Sequence, residues 1–298
     1  MMPPVQGKLS VDRKCFLAQV SRVGFYRWLR KKEPAAEEIG VRAAIQEIAL
    51  EHHRNYGYRR IAAELRHRGM AVNRKRVLRI MQDDNLLAIR KRRFLRTTDS
   101  GHPFEVFVNL ARRMELTAPN QLWIADITYI RLQTEFVYMA VVLDAFSRRV
   151  IGWALNRSLR STVAVEALRQ AIETRKPRPG LVHHSDRGVQ YASEDYTDLL
   201  RKHGATCSMS RVGNPYDNAR CESFLKTLKQ EEIYCHTYRD LEDLRIHIRG
   251  FIDEYYNRRR LHSALGYRSP EAFEQAAKEH DCPAAKVSFE RHLGDLPQ

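Results

Sequence analysis

Three acidic residues occupy positions where a carboxylate could do chemistry. Asp126 lies inside the apolar segment QLWIADITYI, where an unpaired buried carboxylate would cost several kcal/mol. Asp186 follows the apolar stretch LVHHS, and Glu222 falls in the helical pattern DNARCESFLKTLKQEE. Three such carboxylates could hold two Mg²⁺ ions, which prefer oxygen ligands. Two ions roughly 3.5–4 Å apart would support in-line displacement at a phosphodiester.

Each acid also has a simpler structural interpretation. Asp126 could face an arginine in the core, and Asp186 could be a turn or cap residue before Gly188. Glu222 could form an ordinary surface pair with a lysine one helical turn away. Asp144 ends the second predicted strand and could also be a ligand, although LDAFSRR is typical of a strand end and turn. The metal hypothesis therefore depends on the set of three acids.

Basic and imidazole side chains accompany the acids. Lys226 and Lys229 come four and seven residues after Glu222, so we expect all three on one helix face. If the substrate is a phosphodiester, the two ammonium groups would lie along the DNA backbone. His183 and His184 could suggest zinc, but no further Cys or His stands at ligand spacing. We expect them to end a strand, with His184 near the site.

The elements around these residues predict an α/β fold. Apolar and β-branched runs predict three strands in series, over residues 121–130, 135–146 and 148–155. A helix (161–176), a strand (181–185), a second helix (193–204) and a fifth strand (205–210) follow. The first of these helices would turn Ala164, Leu168 and Ile172 inward. This order predicts a mixed five-stranded sheet with helices on its faces.

The first hundred residues predict helices only. Phe16, Leu17 and Val20 have helical spacing that stops at Ser21, a good N-cap, before a second helix with Phe25, Tyr26 and Leu29. A second pair has Ile61, Ala62 and Leu65 inward, then a break at Gly69, an N-cap at Asn73, and Val77, Leu78 and Met81 inward. A helix-turn-helix would present the basic residues of its second helix outward, namely Arg74, Lys75, Arg76 and Arg79. A small helical bundle with a solvated basic face is the alternative.

Charge is concentrated in this helical part. The 298 residues carry a net charge of +15. Residues 1–100 contain 23 Lys and Arg against 10 Asp and Glu, whereas residues 101–298 contain 28 against 26. Nucleic acid is the usual partner of such a segment, with an anionic membrane surface or simple solubility as alternatives. The basic run Arg90, Lys91, Arg92 and Arg93 is then expected to follow a DNA backbone rather than form a solvated linker.

Composition excludes several other classes of protein. The five cysteines form no C-x-x-C pair, which argues against a disulfide framework and against a zinc site. No apolar stretch approaches the length of a membrane span, and the first residues lack the apolar core of a signal peptide. We therefore expect a cytoplasmic protein without a membrane partner.

Four ordered blocks resemble the second-frame product (OrfB) of insertion-sequence-3 family transposases. They are WIADITY, HSDRGVQY, GNPYDNARCESFLKTLK and YYNRRRLHSALGYRSPEAFE. Upstream, NYGYRRIAAELRHRG and VNRKRVLRIMQ resemble the family's helix-turn-helix insert. Between Asp186 and Glu222 lie 35 residues, the spacing typical of integrase-like Asp-Asp-Glu enzymes.

The resemblance implies a ribonuclease H-like core and a Mg²⁺-dependent transposase. Asp126, Asp186 and Glu222 would be the ligands of two Mg²⁺ ions, for which Mn²⁺ would substitute. Asn218 would support the site, and Lys226 and Lys229 would approach the DNA end. The end block would have a structural or DNA-positioning role through Tyr256, Asn257, Arg260, His262 and Pro270.

The resemblance also implies partners and a domain organisation. We expect a basic helix-turn-helix region and linker over residues 1–100, a catalytic core over 115–275 and a tail of unknown role over 276–298. Double-stranded DNA would be bound at the element ends and at the target. A homo-oligomer would form on that DNA, with a first-frame (OrfA) product or fusion as a possible partner, in a bacterial cytoplasm and on the nucleoid.

Two other functions are compatible with these residues. A DNA-binding regulator or truncated transposase remnant would keep the basic region and have a vestigial acid cluster. A sequence-indifferent ribonuclease H-like nuclease would cut DNA without joining it.

Overall fold

The computed structural model describes residues 10–29, 36–88, 107–111, 114–133, 135–210, 218–279 and 287–288. Helices come first, a five-stranded sheet follows, and further helices come after the sheet. Among the described helices, none has the length and apolar character needed to cross a bilayer. The basic run from Arg90 to Arg93 and most of the predicted tail lie outside the described residues.

The first helix pair forms as predicted but contributes little to a core. Helix α1 spans Val11–Leu17 and α2 spans Arg22–Leu29. Ser21 caps α2, since its Oγ accepts a hydrogen bond from the Gly24 amide at 3.0 Å. Phe16 and Leu17 are nevertheless 73% and 61% exposed. Helical spacing therefore identified these two helices, although Phe16 and Leu17 are not buried.

The second predicted pair is part of a three-helix unit. Helices α3 (Ala36–Glu51), α4 (Tyr58–His67) and α5 (Arg74–Asp83) share one apolar core. Gly69 has φ +82°, as expected of a residue that ends a helix. The side chain of Asn73 caps α5 by accepting from the Lys75 amide at 2.8 Å.

One inward residue of α5 differs from the prediction. Val77 and Met81 are fully buried, but Leu78 is only half-buried. Ile80 is buried instead, because the apolar stripe of α5 follows a spacing of three to four residues from Val77. The sequence had not predicted α3, which adds Ile45 and Ile48 to the same core.

The sheet has the predicted five strands. They are β2 (Leu122–Arg131), β3 (Phe136–Asp144), β4 (Val150–Asn156), β5 (Val182–Ser185) and β6 (Thr206–Met209). Their order is β4-β3-β2-β5-β6, with antiparallel pairing from β4 to β2 and parallel pairing from β2 to β6. The predicted mixed sheet is confirmed. The short strands β1 (Glu115–Leu116) and β7 (Val287–Ser288) pair separately.

Helices cover both faces of the sheet. On one face, α6 (Ser161–Arg175) and α7 (Glu194–Lys202) pack through an apolar cluster that includes the predicted Ala164 and Leu168. Gly152 permits close approach there, because a Cβ atom would lie 2.2 Å from the Ala167 carbonyl oxygen. On the other face, α8 (Ala219–Leu228) buries Phe224 and Leu228 as predicted.

The chain after α8 contains two π-helical segments. The first, Lys229–Ile233, continues directly from α8, and the second, Gly250–Tyr256, continues from α9 (Leu241–Arg249). A short 3-10 helix (Ser263–Leu265) and α10 (Pro270–Glu279) follow. Such widened turns are rare and often occur at functional sites.

Candidate active site

Asp126 lies near the centre of β2, on the strand next to β5. Its neighbour Ala125 is fully buried, whereas Asp126 itself is half-buried and opens to one side of the sheet. The amide of Ile127 donates to Asp126 Oδ1 at 2.9 Å. Among the described residues, the cation that acts most strongly on its pKa is Lys229 and not an arginine. The alternative of a core arginine partner is therefore not supported.

Parallel pairing brings Asp186 level with Asp126. In the β2–β5 register, Ile124 pairs with His184. Continuing two residues along both chains keeps the same face and sets Asp186 beside Asp126. The Gly188 amide donates to Asp186 Oδ1 at 3.0 Å, so the predicted turn geometry is also present. The turn fixes the carboxylate next to Asp126, and the two interpretations of Asp186 are compatible.

Glu222 approaches from a third element. It lies in the first turn of α8 and is exposed to solvent. Asn218 is buried at the start of this helix, and its Nδ2 donates to the Ala125 carbonyl at 3.5 Å. This contact joins the start of α8 to the strand residue that precedes Asp126. Within the described residues, Asn218 Oδ1 is buried without a hydrogen-bond partner.

The charges of the three acids act on one another. Burial, then the charge of Asp186 and that of Glu222, raise the pKa of Asp126 to about 8, against the Ile127 hydrogen bond and Lys229. Within the described part of the chain, the oxygens of the three acids do not all lie within 4.8 Å of one another. The three carboxylates therefore act on one another through their charges without forming one compact cluster.

This donor set fits a hard divalent cation. All three side chains offer carboxylate oxygens, which Mg²⁺ and Mn²⁺ prefer. The raised pKa of Asp126 shows that the carboxylates repel one another when only protein groups are present. A cation placed between them would remove that repulsion.

The two lysines after Glu222 have different neighbours, and their predicted position on one helix face with Glu222 stays a prediction. Lys226 is exposed and lines a cavity of about 400 Å³ with Arg54, Arg60 and Arg260. Lys229 begins the π-helix, and its Nζ lies 4.9 Å from the ring centre of Tyr129.

Tyr191 is a neighbour of the acids that the sequence did not single out. Its hydroxyl is buried without a hydrogen-bond partner among the described residues. Burial, then the charges of Tyr196, Asp126 and Asp186, raise its pKa well above the ordinary value. Tyr191 is the last residue of the block HSDRGVQY, so its place in that motif could have indicated a position near Asp186.

The two histidines before Asp186 are engaged inside the protein. His184 is fully buried, with Nδ1 2.8 Å from Ser208 Oγ and Nε2 3.0 Å from Ser210 Oγ. His183 Nε2 lies 2.9 Å from Tyr196 Oη, and burial lowers the pKa of His183 to about 3. They end strand β5 as expected. The two rings join β5 to neighbouring elements, His184 to β6 and the residue after it, and His183 to α7. The lowered pKa means that His183 is neutral.

Asp144 is a turn residue. Its Oδ2 accepts from the Asn120 amide at 2.6 Å, and its Oδ1 accepts from the amides of Phe146 and Ser147 at 2.9 and 3.1 Å. These bonds use the carboxylate to close the turn after β3. The interpretation as strand end and turn is therefore correct.

Comparison with known proteins identifies the family. The family model described as integrase core domain matches residues 117–215, a second integrase core domain model matches 203–270, and an HTH-like domain matches 35–94. The IS600 uncharacterized 31 kDa protein of Shigella sonnei is 37% identical over 88% of this chain and 97% of its own length. Transposase InsF for IS3A of Escherichia coli is 35% identical over 90% and 95%. The transposase for IS904 of Lactococcus lactis is 38% identical over 78% and 92%.

The chain belongs to the IS3 family of transposases. The resemblance seen in the sequence blocks is thereby confirmed. So are the integrase-like core and the HTH-like helical region before it.

The end block of the transposase makes structural contacts. Asn257 forms two hydrogen bonds with the start of β4: its Oδ1 accepts from the Val150 amide at 3.0 Å, and its Nδ2 donates to the Val150 carbonyl at 2.9 Å. The ring of Tyr256 packs edge-on against Phe224, with centroids 4.8 Å apart. Burial lowers the pKa of His262 to about 2, so this ring is neutral. Pro270 begins α10, where its missing N–H is not needed.

The predicted basic surface of α5 is present. Arg74, Lys75 and Arg79 are exposed, and Arg76 is half-buried. Arg79 also lies 3.7 Å from Glu38 of α3. The first two stand at the start of the helix, where the free amide groups already favour an anion. The surface therefore suits phosphate groups.

Removing the carboxylate of Asp126 should stabilise the metal-free transposase at high pH. The folded pKa of about 8 lies above the unfolded value of 3.8, so the folded state binds more protons and stability falls as pH rises between these values. With a chelator present, we expect Asp126→Asn to exceed the wild type in Tm by a margin that grows from pH 5 to pH 8. The corresponding difference in the free energy of unfolding is on the order of a few kcal/mol at pH 8.

Thermal unfolding of both proteins across this pH range provides the measurement. Asp195→Asn, an exposed acid in the first turn of α7, serves as control and should follow the wild type. A constant difference between Asp126→Asn and wild type at all pH values would contradict the placement of Asp126.

Proposed function

We propose that the transposase hydrolyses a phosphodiester at the end of its element and then joins the end to a new DNA strand. In the first step, water attacks phosphorus and the 3′ oxygen leaves as a free 3′-OH. In the second, this 3′-OH attacks a target phosphodiester and displaces its 3′ oxygen. The observation that carries the proposal is the β2–β5 register, which continues from Ile124 and His184 to Asp126 and Asp186. The contact of Asn218 with the Ala125 carbonyl supports the proposal further, because it brings the start of the helix that carries Glu222 to the same strand.

Asp126, Asp186 and Glu222 are proposed as the ligands of two Mg²⁺ ions. When bound, the ions would stabilise the charge that develops on the attacking and leaving oxygens. Mn²⁺ should substitute, since it accepts the same oxygen ligands. Asp126 lies within a paired strand and Asp186 in a hydrogen-bonded turn, so both carboxylates have fixed positions.

The residues around the acids have supporting roles in this proposal. Asn218 keeps the start of α8, and so Glu222, at a fixed distance from β2. His184 holds the end of β5 to β6 through Ser208 and Ser210. Lys226 is exposed and adds positive charge along the path of the DNA. Lys229 lies over Tyr129 and contributes a positive charge that acts on Asp126, and with Lys226 it is proposed to approach the DNA end.

The helical region is proposed to bind double-stranded DNA, both the element ends and the target. The exposed start of α5 would contact phosphates through Arg74, Lys75, Arg76 and Arg79, and the run Arg90, Lys91, Arg92 and Arg93 would follow the backbone. The proposed division is a DNA-binding region over 1–100, a catalytic core over 115–275 and a tail over 276–298.

Lys75→Ala should weaken DNA binding with a reduced salt dependence. Removing one lysine–phosphate interaction lowers the slope of log K against log salt by about 0.9. We expect that change for Lys75→Ala and no change for the control Lys202→Ala, an exposed lysine at the end of α7. Titrations at several salt concentrations measure the slope. An unchanged slope in Lys75→Ala would exclude a phosphate contact at this residue.

The assembly on DNA is also a proposal. Two DNA ends must meet for joining, so we propose a homo-oligomer on DNA and, as a further partner, a first-frame (OrfA) product or fusion. The site of action would be the bacterial cytoplasm, on the nucleoid.

The direct test uses labelled terminal DNA, Mg²⁺ and the purified chain, with and without an upstream first-frame segment. Cleavage and joining are scored separately. Cleavage followed by joining is expected. A DNA-binding regulator would bind without cutting, and a sequence-indifferent nuclease would cut without joining or preference for ends; either outcome would overturn the proposal.

A further inference from the structure

A second group of ligand side chains lies beyond the catalytic helix. Glu232 is in the π-helix after α8, His236 follows it, and His247 is in the last turn of α9. Within the described residues, they are the one group of three or more His, Cys, Asp or Glu whose ligand atoms all lie within 4.8 Å of one another. The distance from Glu232 Oε1 is 3.2 Å to His236 Nδ1 and 3.3 Å to His247 Nδ1.

These separations match the edges of a zinc tetrahedron. Zinc binds histidine nitrogen and carboxylate oxygen at about 2.0–2.1 Å in tetrahedral geometry, so its ligand atoms stand about 3.3–3.4 Å apart. The two measured distances need almost no adjustment to reach these values. The set of two imidazoles and one carboxylate, with a fourth position for water, is one that zinc takes in proteins.

The neighbours of the group are those expected around a metal ligand. Tyr238 Oη donates to Glu232 Oε1 at 3.1 Å, which orients the buried carboxylate. Asp243 Oδ1 lies 3.9 Å from His247 Nε2, on the side of the ring away from Glu232. A carboxylate behind a ligating histidine fixes its tautomer and makes it a stronger ligand.

The group is separate from the catalytic acids in place and in chemistry. Glu232 comes ten residues after Glu222, and at the helical rise this corresponds to about 15 Å. The catalytic acids offer oxygen ligands alone, whereas this group offers two imidazole nitrogens. His236 Nδ1 also lies 3.0 Å from the Glu232 main-chain oxygen, and metal binding must displace the proton shared there.

We propose that Glu232, His236 and His247 bind one Zn²⁺ ion that holds the segment after α8 against α9. A bound ion joins residues that are 15 positions apart in the chain, Glu232 and His247, across the turn between the two helices. It therefore stabilises the fold around the end of the helix that carries Glu222. The inference does not rest on the proposed catalytic reaction.

The test measures zinc binding to the full chain carrying Asp126→Asn and Glu222→Gln, so that the catalytic acids do not contribute. Competition with a chromophoric chelator gives affinity, and elemental analysis gives stoichiometry. We expect one Zn²⁺ per chain and a rise of Tm with zinc. His236→Gln and His247→Gln should each weaken binding at least about 100-fold and remove the rise.

His67→Gln is the matched control. His67 is also near a glutamate, with Nδ1 3.9 Å from Glu64, but no second histidine belongs to that pair. It should leave zinc affinity unchanged. His236 and His247 are about 42% and 40% exposed, so their variants should fold. The proposal would be overturned if the parent chain bound no zinc at stoichiometric concentration, or if both histidine variants bound zinc as tightly as the parent chain.

Discussion

Glu222→Gln should reduce strand cleavage and joining at least about a thousandfold while DNA binding is retained. The amide keeps the size of the side chain but removes the charge that a divalent ion requires. Glu222 is exposed in the first turn of α8, so the substitution should change stability by no more than about 0.5 kcal/mol. Single-turnover cleavage of a labelled element end and a gel-shift titration measure the two properties.

Glu173→Gln is a suitable control, because Glu173 is an exposed acid on α6. It should cleave and join like the wild type. If Glu222→Gln cleaves at the wild-type rate, Glu222 is not a ligand and the assignment fails. If it loses DNA binding in parallel with cleavage, the role of Glu222 is in binding rather than in catalysis.

Arg260→Met should cause the largest loss of stability among single substitutions in the end block. Arg260 and Glu231 are 5% and 8% exposed, and they share two hydrogen bonds of 2.6 and 2.9 Å. Removing one partner leaves a buried charge without compensation, which costs about 3–5 kcal/mol. Glu231 follows Glu222 on the same continuous helical segment, so the loss should also loosen the catalytic helix.

Urea unfolding of the wild type and three variants measures this effect. The control Arg258→Met removes an exposed pair, since Arg258 and Glu254 are 56% and 68% exposed, and should cost about 0–1 kcal/mol. The double variant Arg260→Met, Glu231→Leu should recover part of the loss because no charge remains buried. If Arg258→Met and Arg260→Met lowered the free energy of unfolding equally, the buried pair would contribute no more to stability than the exposed pair.

Much of the catalytic core was predictable because its signals are local. Strands β2 to β6 show as apolar and β-branched runs, and α6 shows through Ala164 and Leu168 at helical spacing. The acids stand out because each interrupts or ends such a run. Periodicity also gave α4 and α5, whose caps at Gly69 and Asn73 have the expected conformations.

The exact geometry of the site was not predictable, because it depends on contacts between distant parts of the chain. The register that sets Asp186 level with Asp126 joins strands separated by two other strands and a helix. The contact of Lys229 with Tyr129 was not predictable either, because Tyr129 lies on β2, far from Lys229 in the sequence. The contact between Glu232 and His247 was likewise not predictable, because it depends on how the chain turns between two helices.

The most direct measurement is the effect of sulfur at the scissile phosphate. Replacing one non-bridging oxygen by sulfur should slow cleavage strongly in Mg²⁺, because Mg²⁺ prefers oxygen ligands. Mn²⁺ accepts softer ligands and should restore most of the rate. This result would place a metal ion on the reacting phosphate between Asp126, Asp186 and Glu222. Equal cleavage of the sulfur and oxygen substrates in Mg²⁺, or cleavage in the presence of a chelator, would contradict the proposed metal-dependent reaction.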